Sequence, residues 1–176
     1  MHDSYVNSLK EFDTLRIEMV CLGNICRSPM AAAVLHNKAQ KIEKPRIHVS
    51  SSGTSGWNDG ENAHHLSEKT WTLAGYDYTH ISRKFQVSFF ENSDLILAMD
   101  LTNRANILNC ARTESDRQKV KMLRSFDPSL SHIDPVTPEA DSLQVPDPWG
   151  ETIAAYQDVL AMIERATDGL IATFTS

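Results

Sequence analysis

Cysteine is sparse in this sequence: three residues in a chain of 176, an odd number that describes no disulfide framework. Two of them, Cys21 and Cys26, lie close together, and a reducing cytoplasm is the expected home. No apolar run approaches the length of a membrane span. The first fourteen residues, MHDSYVNSLKEFDT, lack the apolar stretch of a cleaved signal peptide. Neither membrane attachment nor secretion is therefore expected. Basic charge is in deficit too, with 17 Lys and Arg against 23 Asp and Glu, a net of −6. Such a surface cannot displace the counterions of a nucleic-acid backbone, so nucleic acid is not an expected partner. Any anion site must be built locally, from backbone N–H groups and one or two placed arginines. Internal repeats and low-complexity tracts are absent as well.

What is present suits one globular domain: 41% hydrophobic and 23% charged residues in a chain long enough to bury a core without staples. Residues 1–13 read as a polar extension, mobile or forming a short cap, ahead of a single domain over 14–176. Residues 15–20 (LRIEMV) predict a strand that runs into a loop at Cys21 and then a helix over 30–41. Ser28 is the expected N-cap and Pro29 the first-turn proline. Further strands are predicted over 46–51, 95–99 and 120–123, and helices over 63–74, closed by Gly75, over 102–111 and over 153–174. Residues 125–149, with Pro128, Pro135, Pro138 and Pro146, predict a long loop over one face. Strands alternating with helices imply an α/β fold, a small doubly wound sheet of about four parallel strands flanked by helices. Ligands of such folds sit at the carboxyl ends of the strands, where Cys21 falls.

The run Cys21-Leu22-Gly23-Asn24-Ile25-Cys26-Arg27-Ser28 is a cysteine, five residues and an arginine between a strand and a helix. Five intervening residues allow the chain to curl until successive N–H groups face one centre, and Arg27 returns to it with a fork that can bind two phosphate oxygens. The helix N-terminus adds partial positive charge. That field favours a Cys21 thiolate, a nucleophile able to attack phosphorus and form a phosphocysteine. Gly23 relieves a tight backbone, Asn24 tolerates a left-handed conformation, and the Ser28 hydroxyl can stabilise the departing sulfur. A leaving alkoxide or phenolate needs a proton, and the loop holds no acid. Asp147, stiffened between Pro146 and Pro148, is the best candidate for general acid, with Asp127-Pro128 and Asp134-Pro135 as rivals. Trp57, in a Gly/Ser/Asn loop, is an aromatic that no core periodicity explains.

Together these residues resemble the low-molecular-weight protein tyrosine phosphatase family. The resemblance rests on Val20 through Pro29 (VCLGNICRSP), with further matches at residues 51–57, 75–80, 94–100, 123–128 and 145–148. It implies a flavodoxin-like four-stranded parallel sheet, hydrolysis of phosphotyrosine through a phosphocysteine, inorganic phosphate as product, and neither metal nor cofactor. Among the Asp-Pro pairs it selects Asp147 as general acid and then base. It also implies that Leu22, Gly23, Asn24, Ile25, Cys26 and Ser28 bind phosphate. Asn24, Ser28, Ser51 and His80 would hold the loop in shape. Trp57 and Trp149, with Leu22 and Ile25, would wall a slot for an aromatic ring. This chain departs from the family's usual pattern in having one aromatic, Trp149, before Gly150, and a short connection to the last helix. Cys26 is open to two readings, a redox partner for Cys21 or a loop-packing thiol.

Two other activities are known on such a scaffold. Arginine phosphatases typically carry Thr where Ile25 stands, and Ile25 favours a flat aromatic over a guanidinium. Arsenate reductases relay a disulfide through spaced cysteines, and beyond the loop only Cys110 is available. A Walker-type nucleotide site is excluded, because the loop has one glycine and no Gly-Lys-Ser/Thr ending.

Overall fold

The structure, a computed structural model, describes residues 3–176, so Met1 and His2 of the expected extension lie outside the described residues. Four strands, β1 (Thr14–Cys21), β2 (Arg46–Gly53), β3 (Leu95–Ala98) and β4 (Val120–Met122), form one sheet in the order β2-β1-β3-β4. Every pairing is parallel. This is the four-stranded, doubly wound arrangement expected from the alternation of strands and helices.

Side chains alternate across the sheet and are buried on both faces. Leu15, Ile17, Met19 and Cys21 of β1 and Leu95 and Leu97 of β3 join one core. That core is closed by α2 (Arg27–Ala39), α3 (His65–Leu73) and α7 (Ile153–Thr175). Ala31, Ala32 and Ala33 of α2 are fully buried, and their small size suits close packing of the helix. Val20, Ile96, Ala98, Val120 and Met122 face the second core, where α5 (Leu101–Cys110), Phe85 and Phe90 pack. Burial on both faces is why residues 95–99 read as an unbroken apolar run.

Two short helices, α4 (Phe89–Asn92) and α6 (Glu114–Gln118), complete the set with α1 (Ser4–Ser8). Over its described part the N-terminal segment is a packed cap, not a mobile tail. The Asp3 carboxylate accepts from the Val6 N–H at 3.0 Å, and a 3-10 turn (Leu9–Glu11) follows. Val6 and Leu9 are each 1% exposed, and the Tyr5 hydroxyl donates to the Asp94 carbonyl at 2.6 Å. Val6 and Leu9, one helical turn apart, put their only bulky apolar groups inward while polar residues hide the pattern.

The stretch 125–149 is mostly irregular, as expected, but anchored. Its 3-10 turn Pro138–Leu143 buries Ala140 and Leu143, and the Val145 N–H donates to the Met99 carbonyl at 2.7 Å. No described helix is long and apolar enough to cross a membrane. The direction of winding reverses between β1 and β3, so the carboxyl end of β1 opens on the crevice where α/β sheets bind ligands.

Candidate active site

Cys21 ends β1 opposite Gly53, and the chain from there to Arg27 forms a tight loop around Asn24. Asn24 has φ +57, the left-handed conformation that its short polar side chain tolerates. Its N–H donates to Cys21 Sγ at 3.3 Å, and its Nδ2 donates to Ser28 Oγ at 2.8 Å and Ser51 Oγ at 3.0 Å. The Asn24 carbonyl accepts from His80 Nε2 at 2.7 Å and Ser82 Oγ at 2.6 Å, and its Oδ1 accepts from the Arg83 N–H at 2.9 Å. Burial lowers the His80 pKa, which favours the neutral ring, and the bond to the Asn24 carbonyl is made by the tautomer with its proton on Nε2. From the other side, the Thr54 and Ser55 N–H groups donate to the Cys21 and Leu22 carbonyls, both at 2.9 Å. A Cβ at Gly53 would stand 2.6 Å from the Leu22 oxygen, so only glycine lets β2 approach this closely.

Ser28 is not the N-cap expected from its position. The helix starts at Arg27, Cys26 occupies the cap without a side-chain bond, and the Ser28 hydroxyl turns back to lie 3.0 Å from Cys21 Sγ. A first-turn side chain can serve the loop because it is the loop, not a free chain end, that precedes the helix.

Arg27 is 3% exposed and fixed from three directions. Its Nη1 donates to Asp100 Oδ2 at 2.6 Å and to the Val145 carbonyl at 3.1 Å, and its Nη2 lies 3.7 Å from Asp147 Oδ2. Burial alone would lower its pKa, but Cys21, Asp100 and Asp147 outweigh that and raise it. Asp147 is half-exposed at the cleft, and its Oδ1 accepts from the Trp149 N–H at 3.1 Å. Asp127, by contrast, is buried against Ser129 and Arg165, and Asp134 caps its own turn through the Val136 N–H.

A cleft of about 360 Å³ is lined by Cys21, Leu22, Gly23, Ile25, Cys26, Arg27, Trp57, Asn58, Asp147 and Trp149. Every lining residue but Asn58 was singled out from the sequence; Asn24, Ser28, Ser51 and His80 form the support beneath. Trp57 and Trp149 are 78% and 65% exposed, two large apolar surfaces standing at the rim. Cys26 is buried, with Sγ 3.5 Å from the Tyr156 hydroxyl, and burial pushes its thiol up to about 12. In the reduced protein it is thus a packed, protonated thiol; Cys110 is exposed on α5, away from this cleft lining. Sequence reasoning missed Asp100, Asn58, Ser82 and Arg83. Asp100 alone carried a signal, as a carboxylate at the carboxyl end of the strand beside β1. A hollow of similar size between β4 and residues 131–135 contains none of these residues.

Fold and site together are those of an α/β enzyme that gathers a cysteine, an arginine and an aspartate around one anion-sized loop. Residues 16–176 match the family described as low molecular weight phosphotyrosine protein phosphatase. A low molecular weight protein-tyrosine-phosphatase of Streptomyces coelicolor is 38% identical over 160 residues, 90% of this chain and 93% of that one. Among solved structures, a protein tyrosine phosphatase from Entamoeba histolytica superposes with a TM-score of 0.78 at 31% identity, covering 90% of this chain and 95% of the other. An arginine phosphatase from Geobacillus stearothermophilus gives 0.73 at 27% identity, covering 90% and 91%. The chain belongs to the low-molecular-weight protein tyrosine phosphatase family, and it is a phosphatase.

Proposed function

We propose that the protein hydrolyses phosphotyrosine in proteins or peptides, in the cytoplasm, through a phosphocysteine on Cys21. The observation that carries this reading is the convergence of Cys21, Arg27 and Asp147 on one cleft, with Ser28 Oγ 3.0 Å from the sulfur. Arg27 and the N–H groups of Leu22 to Ser28 bind the phosphoryl oxygens, and the Asp100 carboxylate keeps the guanidinium fork aimed. The Cys21 thiolate attacks phosphorus while Asp147 protonates the departing phenolate oxygen. Water then attacks the phosphocysteine, with Asp147 taking its proton and the Ser28 hydroxyl donating to the sulfur as it leaves as thiolate. Inorganic phosphate is the product, and no metal or cofactor enters the cycle.

Ile25 in the cleft lining supports an aryl over a guanidinium leaving group, because an apolar side chain packs on a ring and leaves the donors of a guanidinium unpaired, while Trp57 and Trp149 at the rim offer faces on which a ring can stack. The test is hydrolysis of p-nitrophenyl phosphate without added metal, followed by turnover of phosphotyrosine, phosphoarginine and arsenate on one preparation. Cys21→Ser should abolish activity, and Asp147→Asn should lower kcat by about a hundredfold or more. Activity surviving Cys21→Ser would sink the mechanism, and preference for phosphoarginine would sink the substrate assignment.

A further inference from the structure

Glu18 breaks the apolar run of β1 and is 2% exposed. A carboxylate buried in the central part of a sheet is costly unless it is paired and hydrogen-bonded. Ser50, its neighbour across β2, donates Oγ–H to Oε1 at 2.5 Å, and Arg83 Nη2 donates to Oε1 at 3.0 Å and Oε2 at 3.2 Å. The Arg83 guanidinium lies over the Phe89 ring, 4.3 Å from its centroid, and its Nε donates to the Ser51 carbonyl at 3.1 Å. The same residue's backbone N–H holds Asn24 Oδ1. Glu18 therefore fixes one arginine, and that arginine touches two members of the network under the loop.

We propose that Glu18 and Arg83 are positioning residues for catalysis, which set Asn24 and Ser51 and, through them, the Ser28 hydroxyl beside Cys21. This deepens the mechanism above and rests on Cys21 being the reacting group. Apolar residues at both positions 18 and 83 would be about as stable, because replacing a buried ion pair by apolar groups is often neutral. What a carboxylate adds is direction: both of its oxygens hold Nη2, and with Nη2 fixed there the guanidinium plane aims Nε at the Ser51 carbonyl, which a hydrophobic contact cannot do. Arg83 is 46% exposed, so without Glu18 its side chain can turn to water and release the Ser51 carbonyl. Ser51, whose Oγ accepts from Asn24 Nδ2, is then less firmly held, and with it the geometry that keeps the same Nδ2 on Ser28 Oγ. Arg27 is gripped separately by Asp100, so phosphate binding should survive while stabilisation of the departing sulfur suffers.

The experiment is Glu18→Gln in the full chain, read by steady-state kinetics, by the rate of Cys21 carboxamidomethylation with iodoacetamide at pH 6, and in a cycle with Asn24→Ala. The expected result is a kcat lower by about tenfold with KM within about twofold, and a slower alkylation of Cys21. In the Asn24→Ala background the same substitution should cost less than about twofold, because its route to Cys21 has gone. Unchanged kcat and alkylation alongside a lower Tm would overturn the proposal, as would costs that multiply in the double variant. If Glu18→Gln does not fold, Arg83→Lys, which keeps charge but loses Nε and the fork, takes its place. It should show the same drop in kcat, and wild-type kcat would overturn the proposal. Alkylation reports the sulfur's surroundings whether or not Cys21 is the nucleophile. A failure of that assignment, seen as activity in Cys21→Ser, is therefore distinguishable from a failure of the positioning role.

Discussion

Five positions separate two thiols in different environments. Cys21 meets Ser28 Oγ and the Asn24 N–H, whereas Cys26 is packed against Tyr156 with its pKa raised from 9.0 to about 12 by burial. In the unfolded chain Cys26 ionises from about pH 9, while in the folded chain it keeps its proton to about pH 12. Between those values the unfolded state binds fewer protons, so stability is fully present below pH 9 and falls as pH rises, by at most about 1.4 kcal/mol per unit from this group. Urea unfolding between pH 9 and 10.5 should therefore show a steeper loss for the wild type than for Cys26→Ala. Equal slopes would contradict it. At this scale the loop of the candidate site was legible because Cys21, Arg27 and Ser28 lie within one short stretch, where spacing is geometry. Asp100 was not, since it stands 73 residues beyond the arginine that it orients. Arg83 was hidden in the same way, 59 residues from Asn24.

Helix α7 shows how an element is fitted to its place. Its apolar positions Tyr156, Leu160, Ile163 and Leu170 recur at helical spacing and are buried, so the helix was readable from sequence alone. Gly169, inside it, was not explained by periodicity. A Cβ there would fall 1.8 Å from the Phe126 carbonyl oxygen, so the glycine lets the helix touch the backbone of the turn Leu123–Phe126. Gly169→Ala gains about 1 kcal/mol of helix propensity but must push that backbone aside, for a net destabilisation of about 2 kcal/mol. A thermal melt should show Tm lower by about 5 °C with kcat/KM at 25 °C unchanged. A higher Tm would show that the turn yields freely. The helices that sequence reading missed, α1, α4 and α6, have five, four and five residues, too few for a 3.6-residue period to register.

On the scale of the whole molecule, the cap over residues 3–11 and the loop after Cys21 sit at opposite ends of the sheet. Tyr5 reaches Asp94, just before β3 begins, whereas Cys21 closes the far end of β1. Deleting residues 1–11 uncovers the places of Val6 and Leu9, each worth about 1.5–3 kcal/mol when buried. Such a variant should melt about 10 °C lower yet keep kcat/KM at 25 °C within twofold. A selective loss of kcat would show that the cap is coupled to the site. The sequence by itself determined the α/β alternation, the tight loop from Cys21 to Ser28 and the stiffened Asp147, because each is written in neighbouring residues whose spacing fixes local geometry. Only the tertiary structure decided the sheet order, the packing of the cap, the grip of Asp100 on Arg27 and the pairing of Glu18 with Arg83. Those depend on which distant segments meet, and parallel strands joined by long crossovers bring together residues that no local pattern connects.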